Sequence, residues 1–359
     1  MNKGIFFTGV NTAELLDVPM PEIAPGHVLV KVYRTCISSG TERANLIGTP
    51  DNGVGIFTNA PEGKVSWPRR SGYSSSGVVE AVGEGVEGFK PGDRVAMSWT
   101  VHQQYVCIPA TQAYLIPENI SFEAAALTHI STFPMAAVRK CRLEIGESAI
   151  VMGQGILGQL AIIILKAAGA TPIIAADPLP EKRAHALELG ADFALDPTAS
   201  DFAEQAKTIC SQDALSYHVL LKRGAPLMKK DGPKVGIEVT GVGKALDNVL
   251  DAISPFGRIA LLGCTRNSNF SIDYYHKVHG RGVTLIGAHA LCRNQFEDAP
   301  GWWTMRSDAL TFLRLQELGR ISLEGFVAEV HSPEECGEVY ARLAQGSKFP
   351  VVQFDWTRM

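Results

Sequence analysis

Two patterns of hydrophobic positions divide this chain. Over residues 1–120, short runs rich in β-branched and aromatic residues alternate with turns that contain Pro and Gly, which is typical of an antiparallel β-module. Helical spacing begins near residue 121, and apolar strands then alternate with amphipathic helices as far as about residue 290. Because such alternation is typical of parallel strands joined by crossover helices, it predicts a doubly wound α/β sheet.

The end of the chain departs from this alternation. It closes with the strand-like run VVQFDW, which we expect to return to the first module and to make that module discontinuous. The predicted domains are therefore residues 1–124 together with 291–359, and residues 125–290.

A glycine-rich turn stands at the start of the alternating region. In VMGQGILGQLAIIILKAAGA, Gly153, Gly155 and Gly158 form a G-x-G-x-x-G pattern that follows an apolar strand and opens a helix. These glycines permit a tight turn, a close approach of the backbone to a pyrophosphate, and close packing of the helix on the strand. The amides of Ile156 and Leu157 then lie at a helix N-terminus, where phosphate charge is favoured. The pattern predicts a dinucleotide site.

The second strand of this region ends at Asp177, 24 residues after Gly153. A carboxylate at this place accepts hydrogen bonds from the ribose hydroxyls and repels a 2′-phosphate, so the sequence favours NAD over NADP. Lys182 and Arg183 follow shortly and keep NADP possible.

Composition excludes several other classes of function. The chain has 359 residues, a formal net charge of −4 and 46% hydrophobic residues, a globular composition without the basic patch of a nucleic-acid binder. We find no apolar run long enough for a membrane span and no secretory signal at the start. The seven cysteines form no CxxC pair, which indicates reduced thiols and no structural zinc lobe. We expect a cytoplasmic protein that acts on a small molecule.

Over nearly its whole length the chain resembles the medium-chain dehydrogenase/reductase superfamily. The segments that carry the resemblance include VEAVGEGVEGFKPGDRV, ELGADFALD and EVTGVGKALDNVLDAISPFGRIALLG. It implies a GroES-like, mostly-β catalytic domain, a Rossmann cofactor domain, an active site in the cleft between them, and a homodimer that pairs through residues 283–289. It also implies that the nicotinamide half of the cofactor is lined by Thr240, Gly241, Gly263, Ile286 and Ala288.

Matched with the zinc-dependent members, this sequence lacks the catalytic metal ligands. Ser38 stands at the first ligand position, Tyr73 at the second and Thr128 at the third, and zinc prefers thiolate, imidazole or carboxylate to any of these. The GTE of residues 40–42 and the GYS of residues 72–74 are similar to a zinc-free branch that includes bacteriochlorophyllide-type alcohol dehydrogenases. We therefore predict no catalytic metal; a rebuilt site from Cys36, Glu42 and His129 is the alternative.

Without a Lewis acid, hydroxyl donors must stabilise the developing oxyanion. We predict Tyr73 as the chief donor, assisted by Ser38; the alternative is that Tyr73 only fills the vacated space. His129 is a candidate proton shuttle or a histidine bonded to backbone beneath the cofactor. Glu42 is a candidate for orienting other side chains or a ribose hydroxyl, or for an ion pair with an arginine.

These residues predict a zinc-independent NAD(P)-dependent oxidoreductase that interconverts an alcohol and a carbonyl. An enone or quinone reductase is a second interpretation, because protonation can then follow hydride addition at carbon. A dinucleotide-binding sensor without turnover is a third.

Overall fold

The computed structural model describes residues 1–48, 66–211, 231–264, 269–346 and 348–359. The chain divides into two compact units. The first unit is Met1–Thr132 together with Arg306–Met359, and the second is Phe133–Met305.

The first unit is built mainly from β-strands. Their bounds are β1 Asn2–Gly9, β2 Thr12–Val18, β3 His27–Cys36, β4 Arg69–Arg70, β5 Ser74–Val82, β6 Arg94–Ser98, β7 Tyr105–Pro109, β8 Ala113–Leu115, β15 Glu329–His331 and β16 Val352–Asp355. A seven-stranded sheet has the order β15-β16-β3-β5-β6-β8, with β7 also paired to β3, and a small sheet has the order β2-β1-β4. Apart from β15 and β16, every pair in these two sheets is antiparallel.

Strand β3 organises the core of this unit. Val28, Val30 and Val32 alternate with less buried residues, so one face of the strand is apolar, as a half-buried strand requires. At its end β3 pairs with β16, where Cys36 lies opposite Gln353. The last strand of the chain is thereby joined to the first sheet.

Both units contain helices of four to thirteen residues. Their bounds are α1 Ser39–Leu46, α2 Phe122–Ala125, α3 Thr128–Lys140, α4 Ile156–Ala167, α5 Pro180–Glu188, α6 Phe202–Ser211, α7 Gly243–Ala252, α8 Tyr274–Lys277, α9 Met305–Glu317 and α10 Cys336–Ala344. Tyr340 of α10 is fully buried against Phe7 of β1, with the ring centroids 4.9 Å apart. This contact fixes α10 to the first sheets.

The second unit contains one parallel sheet. Its strands are β9 Ala149–Met152, β10 Ile173–Ala176, β11 Phe193–Leu195, β12 Val235–Glu238, β13 Arg258–Leu261 and β14 Thr284–Gly287. Their order is β11-β10-β9-β12-β13-β14, and every pair is parallel. Chain order reverses between β9 and β12, which makes their carboxyl ends the expected ligand crevice of an open α/β sheet. The predicted fold, a mostly antiparallel β-module with a doubly wound parallel sheet, is confirmed.

Two further observations concern the chain as a whole. None of the described helices combines the length and the apolar character needed to cross a membrane. The seven cysteines all lie in the described ranges, and each is a free thiol.

Candidate functional site

The three serines after Tyr73 make structural hydrogen bonds. Ser74 Oγ donates to the carbonyl of Ala126 at 2.5 Å, and Ser76 Oγ donates to the carbonyl of Phe122 at 2.6 Å. Ser75 Oγ is buried and lies 2.8 Å from Thr100 Oγ1. The three serine side chains are therefore bonded to neighbouring elements of the same unit.

Tyr73 and Ser38 form a hydroxyl pair. Ser38 directly precedes α1, and the Tyr73 phenol donates a hydrogen bond to Ser38 Oγ. Burial raises the pKa of Tyr73 well above its usual 10, the hydrogen bond with Ser38 opposes that rise, and the nearby Glu42 adds to it. Thr41 also bonds the phenol. Since the phenol stays protonated at neutral pH, it can act as a donor.

Aromatic rings surround the Tyr73 side of this pair. His129 is fully buried, and its ring lies edge-on to Trp99 at 4.5 Å and to Tyr73 at 5.4 Å between centroids. Trp99 has φ +58°, an unusual backbone conformation for a bulky residue, and is 41% exposed. Strained backbone of this kind clusters at functional sites. Sequence reasoning missed Trp99, because no sequence pattern predicts a positive φ at a tryptophan.

Glu42 has no exposed surface, and donors occupy both of its carboxylate oxygens. The backbone amide of Ser38 donates to Oε1 at 2.8 Å, and the Tyr340 hydroxyl donates to Oε2 at 2.5 Å. His102 Nε2 lies 3.0 Å from the same Oε2. The alternative of an ion pair with Arg34 or Arg43 is wrong: His102 contacts Glu42, Arg34 pairs with Asp355, and Arg43 donates to the carbonyl of Ala344.

Sequence reasoning missed His102 and Tyr340, which lie 60 and 298 positions from Glu42 in the chain. Gly72, the residue before Tyr73, is the one sequence feature that relates to the position of His102. Gly72 has φ +92°, and a Cβ there would lie 2.8 Å from the His102 ring. Only glycine lets His102 pack at this place.

The residues at the three family ligand positions do not suit zinc. Ser38, Tyr73 and Thr128 offer hydroxyl oxygens, and zinc in proteins takes thiolate, imidazole or carboxylate. Thr128 Oγ1 is buried and has no hydrogen-bond partner among the described residues. The alternative Cys36 site is not formed either: its Sγ contacts the carbonyls of Ile37 and Val352, and the described residues contain no group of three His, Cys, Asp or Glu placed to hold a metal.

In the second unit the glycine loop has the geometry that its spacing predicts. Gly153 follows β9 with φ +96°, and Gly155 is the N-cap of α4, with Ile156 and Leu157 in the first turn. A Cβ on Gly158 would lie 1.9 Å from the carbonyl oxygen of Gly153, so only glycine lets the helix approach the loop. A Cβ on Gly155 would meet nothing within 4 Å, which leaves the loop open at that residue.

Asp177 lies directly after β10 and braces the glycine loop. Its Oδ2 accepts from the amide of Gln154 at 2.8 Å, and its Oδ1 accepts from the amide of Leu179 at 2.9 Å. Arg183 donates to the carbonyls of Asp177 and Pro178, and Lys182 lies half-buried on α5. The Arg183 guanidinium is thus hydrogen-bonded to the segment that precedes α5.

The residues expected around the nicotinamide lie at the ends of three neighbouring strands. Thr240 and Gly241 follow β12, and a Cβ on Gly263 would lie 2.3 Å from the amide of Gly241. The Glu238 carboxylate, missed by sequence reasoning, accepts from the amides of Thr240 and Gly241. Burial raises the pKa of Glu238 despite these bonds.

The remaining two positions are on and after β14. Ile286 lies within the strand, opposite Ala260, and the buried Ala288 donates its amide to the carbonyl of Leu261. A Cβ on Gly153 would lie 2.7 Å from Thr240 Cγ2, so the glycine loop adjoins the Thr240 loop at the point where strand order reverses. The structure therefore brings the glycine and Thr240 loops together.

Two family models match the chain. The alcohol dehydrogenase GroES-like domain matches residues 24–118, and the zinc-binding dehydrogenase domain matches residues 157–303. The first match lies in the antiparallel unit and the second in the parallel-sheet unit.

Individual proteins also match this chain over nearly its whole length. L-threonine 3-dehydrogenase of Pyrococcus abyssi is 26% identical, with 95% of this chain and 94% of that protein covered. The crystal structure of 2R,3R-butanediol dehydrogenase from Bacillus subtilis has a TM-score of 0.77 at 24% identity, with 99% of each chain covered. A structure described as a zinc-binding dehydrogenase from Sinorhizobium meliloti, bound to NADP, has a TM-score of 0.77 at 20% identity and covers 99% of each chain. The two structural likenesses establish the fold.

Proposed function

Because the chain belongs to the zinc-type alcohol dehydrogenase-like superfamily of medium-chain NAD(P)-dependent oxidoreductases, we propose that it interconverts an alcohol and a carbonyl without a catalytic zinc ion. The observation that carries this proposal is the hydroxyl pair, Tyr73 and Ser38, at the positions where a zinc-dependent member has metal ligands.

The residues of the chain have distinct tasks in this reaction. A bound nicotinamide would supply or accept the hydride. In the reducing direction the carbonyl carbon gains the hydride, its C=O π electrons move onto oxygen, and Tyr73 gives that oxygen a proton which solvent replaces; oxidation reverses each transfer. A phenol is a stronger acid than an aliphatic alcohol, so this proton transfer is favourable even with the raised pKa of Tyr73. When the phenol turns its proton toward the substrate oxygen, the Ser38 hydroxyl would donate its own proton to the phenol oxygen and stabilise the negative charge that forms there.

We propose NAD as the preferred cofactor. The glycine loop would hold the pyrophosphate, and the Asp177 carboxylate, fixed by two backbone amides, would disfavour a 2′-phosphate. Equilibrium titration of NADH and NADPH by nicotinamide fluorescence tests this choice. We expect NADH to bind at least about 10-fold more tightly, given roughly 1.4 kcal/mol per factor of ten.

The mechanistic test is Tyr73→Phe, with Tyr33→Phe as a matched tyrosine control in the same unit. Tyr33 packs against Phe122 with the two rings tilted at 49° and their centroids 4.6 Å apart. We expect Tyr73→Phe to lower kcat by about 10²-fold, the usual loss for one oxyanion donor, and Tyr33→Phe to leave kcat within about twofold. Unchanged turnover in Tyr73→Phe would refute the role of this phenol.

The assay must also separate the alternative functions. L-threonine and 2R,3R-butanediol, with NAD⁺ and with NADP⁺, are the first alcohol probes because of the relatives that act on them. Simple enones and quinones with NADH form a second arm, and turnover confined to that arm would favour the reductase interpretation. Tight NADH binding with no turnover in either arm would favour a sensor.

Metal analysis of the purified protein tests zinc independence directly. We expect less than about 0.1 zinc per chain and full activity after EDTA treatment, because the hydroxyl donors are poor zinc ligands. Stoichiometric zinc that activity requires would overturn the proposal.

We also propose a homodimer that pairs through β14. Within the described ranges this strand has a neighbour on one side, β13. The amides of Thr284 and Ala288 donate toward β13, so by alternation the amide of Leu285 points to the open edge. Leu285→Pro would remove that outward donor and is expected to give a monomer in light scattering, whereas Leu285→Val stays dimeric; a dimeric Leu285→Pro would refute this interface.

A further inference from the structure

The Glu42 carboxyl group is buried beside the hydroxyl pair and is surrounded by polar groups. Three groups surround it: the Ser38 amide and the Tyr340 hydroxyl donate to its oxygens, and His102 Nε2 lies 3.0 Å from Oε2. Burying a carboxyl group away from water is unfavourable unless hydrogen bonds compensate, so these contacts are what allow Glu42 to lie at this place.

The network continues away from Glu42 through His102. His102 Nδ1 lies 2.7 Å from Thr35 Oγ1, and that oxygen also accepts from Trp356 Nε1 at 3.0 Å. His102 and Thr35 are 1% exposed and Trp356 is 2% exposed. Each partner of Glu42 is thus fixed by the core of the unit.

The network also reaches the hydroxyl pair, through the backbone of Ser38. Glu42 Oε1 accepts from the Ser38 amide, while the Glu42 amide donates to the Ser38 carbonyl at 2.8 Å. Both polar groups of the Ser38 backbone are therefore held by one residue. Since the Ser38 side chain leaves the same Cα, its Oγ is held against the Tyr73 phenol.

We infer that Glu42 is a positioning residue, held by His102 and Tyr340, which fixes Ser38 Oγ against the Tyr73 hydroxyl. The inference rests on the proposed function for its kinetic consequence, but not for the geometry of the pair. Glu42 does not contact the substrate in this arrangement, because it has no exposed surface. The competing explanation is a structural one, in which Glu42 only joins α1 to α10.

A double-mutant cycle separates the two explanations. Glu42→Gln keeps the shape of the side chain but replaces one of its two accepting oxygens with an amide NH₂ that cannot accept. If Glu42 acts through the hydroxyl pair, Glu42→Gln lowers kcat about tenfold in the parent but less than about twofold in a Tyr73→Phe background, with KM and NADH affinity unchanged. Equal losses in both backgrounds would overturn the inference, because they would show general damage.

A spectroscopic measurement tests the same inference without turnover. In protein labelled with ¹³Cζ-tyrosine, Tyr73→Phe assigns the Tyr73 resonance, and Glu42→Gln is expected to shift that resonance because the hydroxyl contact changes. Tyr340→Phe, which removes one donor from Glu42, is expected to shift it less and in the same direction. An unmoved Tyr73 resonance in folded Glu42→Gln would refute the positioning role, even if the parent turns over none of the probes.

Asp355→Asn is the matched control for both measurements. Asp355 is a buried carboxylate of the same unit: its Oδ2 pairs with Arg34 at 2.8 Å, and its Oδ1 accepts from the Thr357 amide at 3.0 Å. Its substitution is expected to lower the melting temperature while leaving the Tyr73 resonance in place. A shift of that resonance in Asp355→Asn as large as that in Glu42→Gln would count against a specific network.

Discussion

The glycine loop of the second unit and the hydroxyl pair of the first unit are held by opposite means. Backbone sterics define the loop: Gly158 packs where any Cβ would meet the Gly153 carbonyl, and Asp177 accepts from a loop amide. Side chains define the hydroxyl pair, through Glu42, His102 and Tyr340. A site defined by backbone can bear few substitutions, whereas a site defined by side chains can change its chemistry within the same fold.

The largest effect that this comparison predicts is at Gly158. Gly158→Ala forces the Gly153 carbonyl to move, so we expect a loss of about 3 kcal/mol in the free energy of unfolding and no measurable NADH binding. Gly155→Ala is the control, because its Cβ meets nothing. In chemical denaturation, the free energy of unfolding of Gly155→Ala should lie within about 1 kcal/mol of the parent, while its NADH binding is weakened. Equal destabilisation of the two variants would contradict a steric origin.

A smaller effect is predicted at Asp177. Asp177→Asn removes the charge and one of the two acceptors that fix the Gln154 and Leu179 amides. We expect NADH affinity to fall by about 10- to 100-fold, the range for hydrogen bonds to a charged group. We also expect the ratio of NADH affinity to NADPH affinity to decrease. Fluorescence titration measures both affinities, and an unchanged NADH to NADPH ratio would show that Asp177 only braces the loop.

The serines after Tyr73 test whether the chemistry of the first unit is confined to the hydroxyl pair. Ser76→Ala removes the hydrogen bond to the Phe122 carbonyl, so we expect a loss of about 1 kcal/mol in stability with kcat unchanged. Thermal unfolding and steady-state kinetics measure the two quantities. A fall in kcat comparable to that of Tyr73→Phe would mean that the chemistry is spread over the whole stretch.

The smallest predicted effect is at a surface cluster that neither site uses. Burial opposes protonation of His331, but hydrogen bonds with Glu329 and Glu335 raise its pKa above 6.5. Its stabilising contribution is therefore present below pH 6.5 and is lost as the pH rises through the raised pKa of the folded protein. His331→Gln should lower the stability by about 0.5 kcal/mol at pH 6 and by nearly nothing at pH 9, with NADH binding unaffected.

The sequence predicts the two sites unequally, for physical reasons. Gly153, Gly155, Gly158 and Asp177 lie within one strand–helix–strand segment, so their spacing predicts their geometry. Two of the partners of Glu42, His102 and Tyr340, come from distant parts of the chain, and no local pattern joins residue 42 to residue 340. Tyr73 was predicted at the hydroxyl site, but the structural bonds of the neighbouring serines depend on carbonyls of a segment about 50 positions away.

The pairing of both chain ends in the first unit has a consequence for how the protein is made. Strand β16 and Tyr340 are synthesised after the whole of Phe133–Met305, an interval of about 10–30 s at ordinary rates of translation. Throughout that interval the nascent β3 has no β16 beside its final residues, and Glu42 has no Tyr340 donor. The parallel-sheet unit, whose residues are continuous in the chain, can fold on the ribosome. The hydroxyl site can be completed only after the last residues emerge.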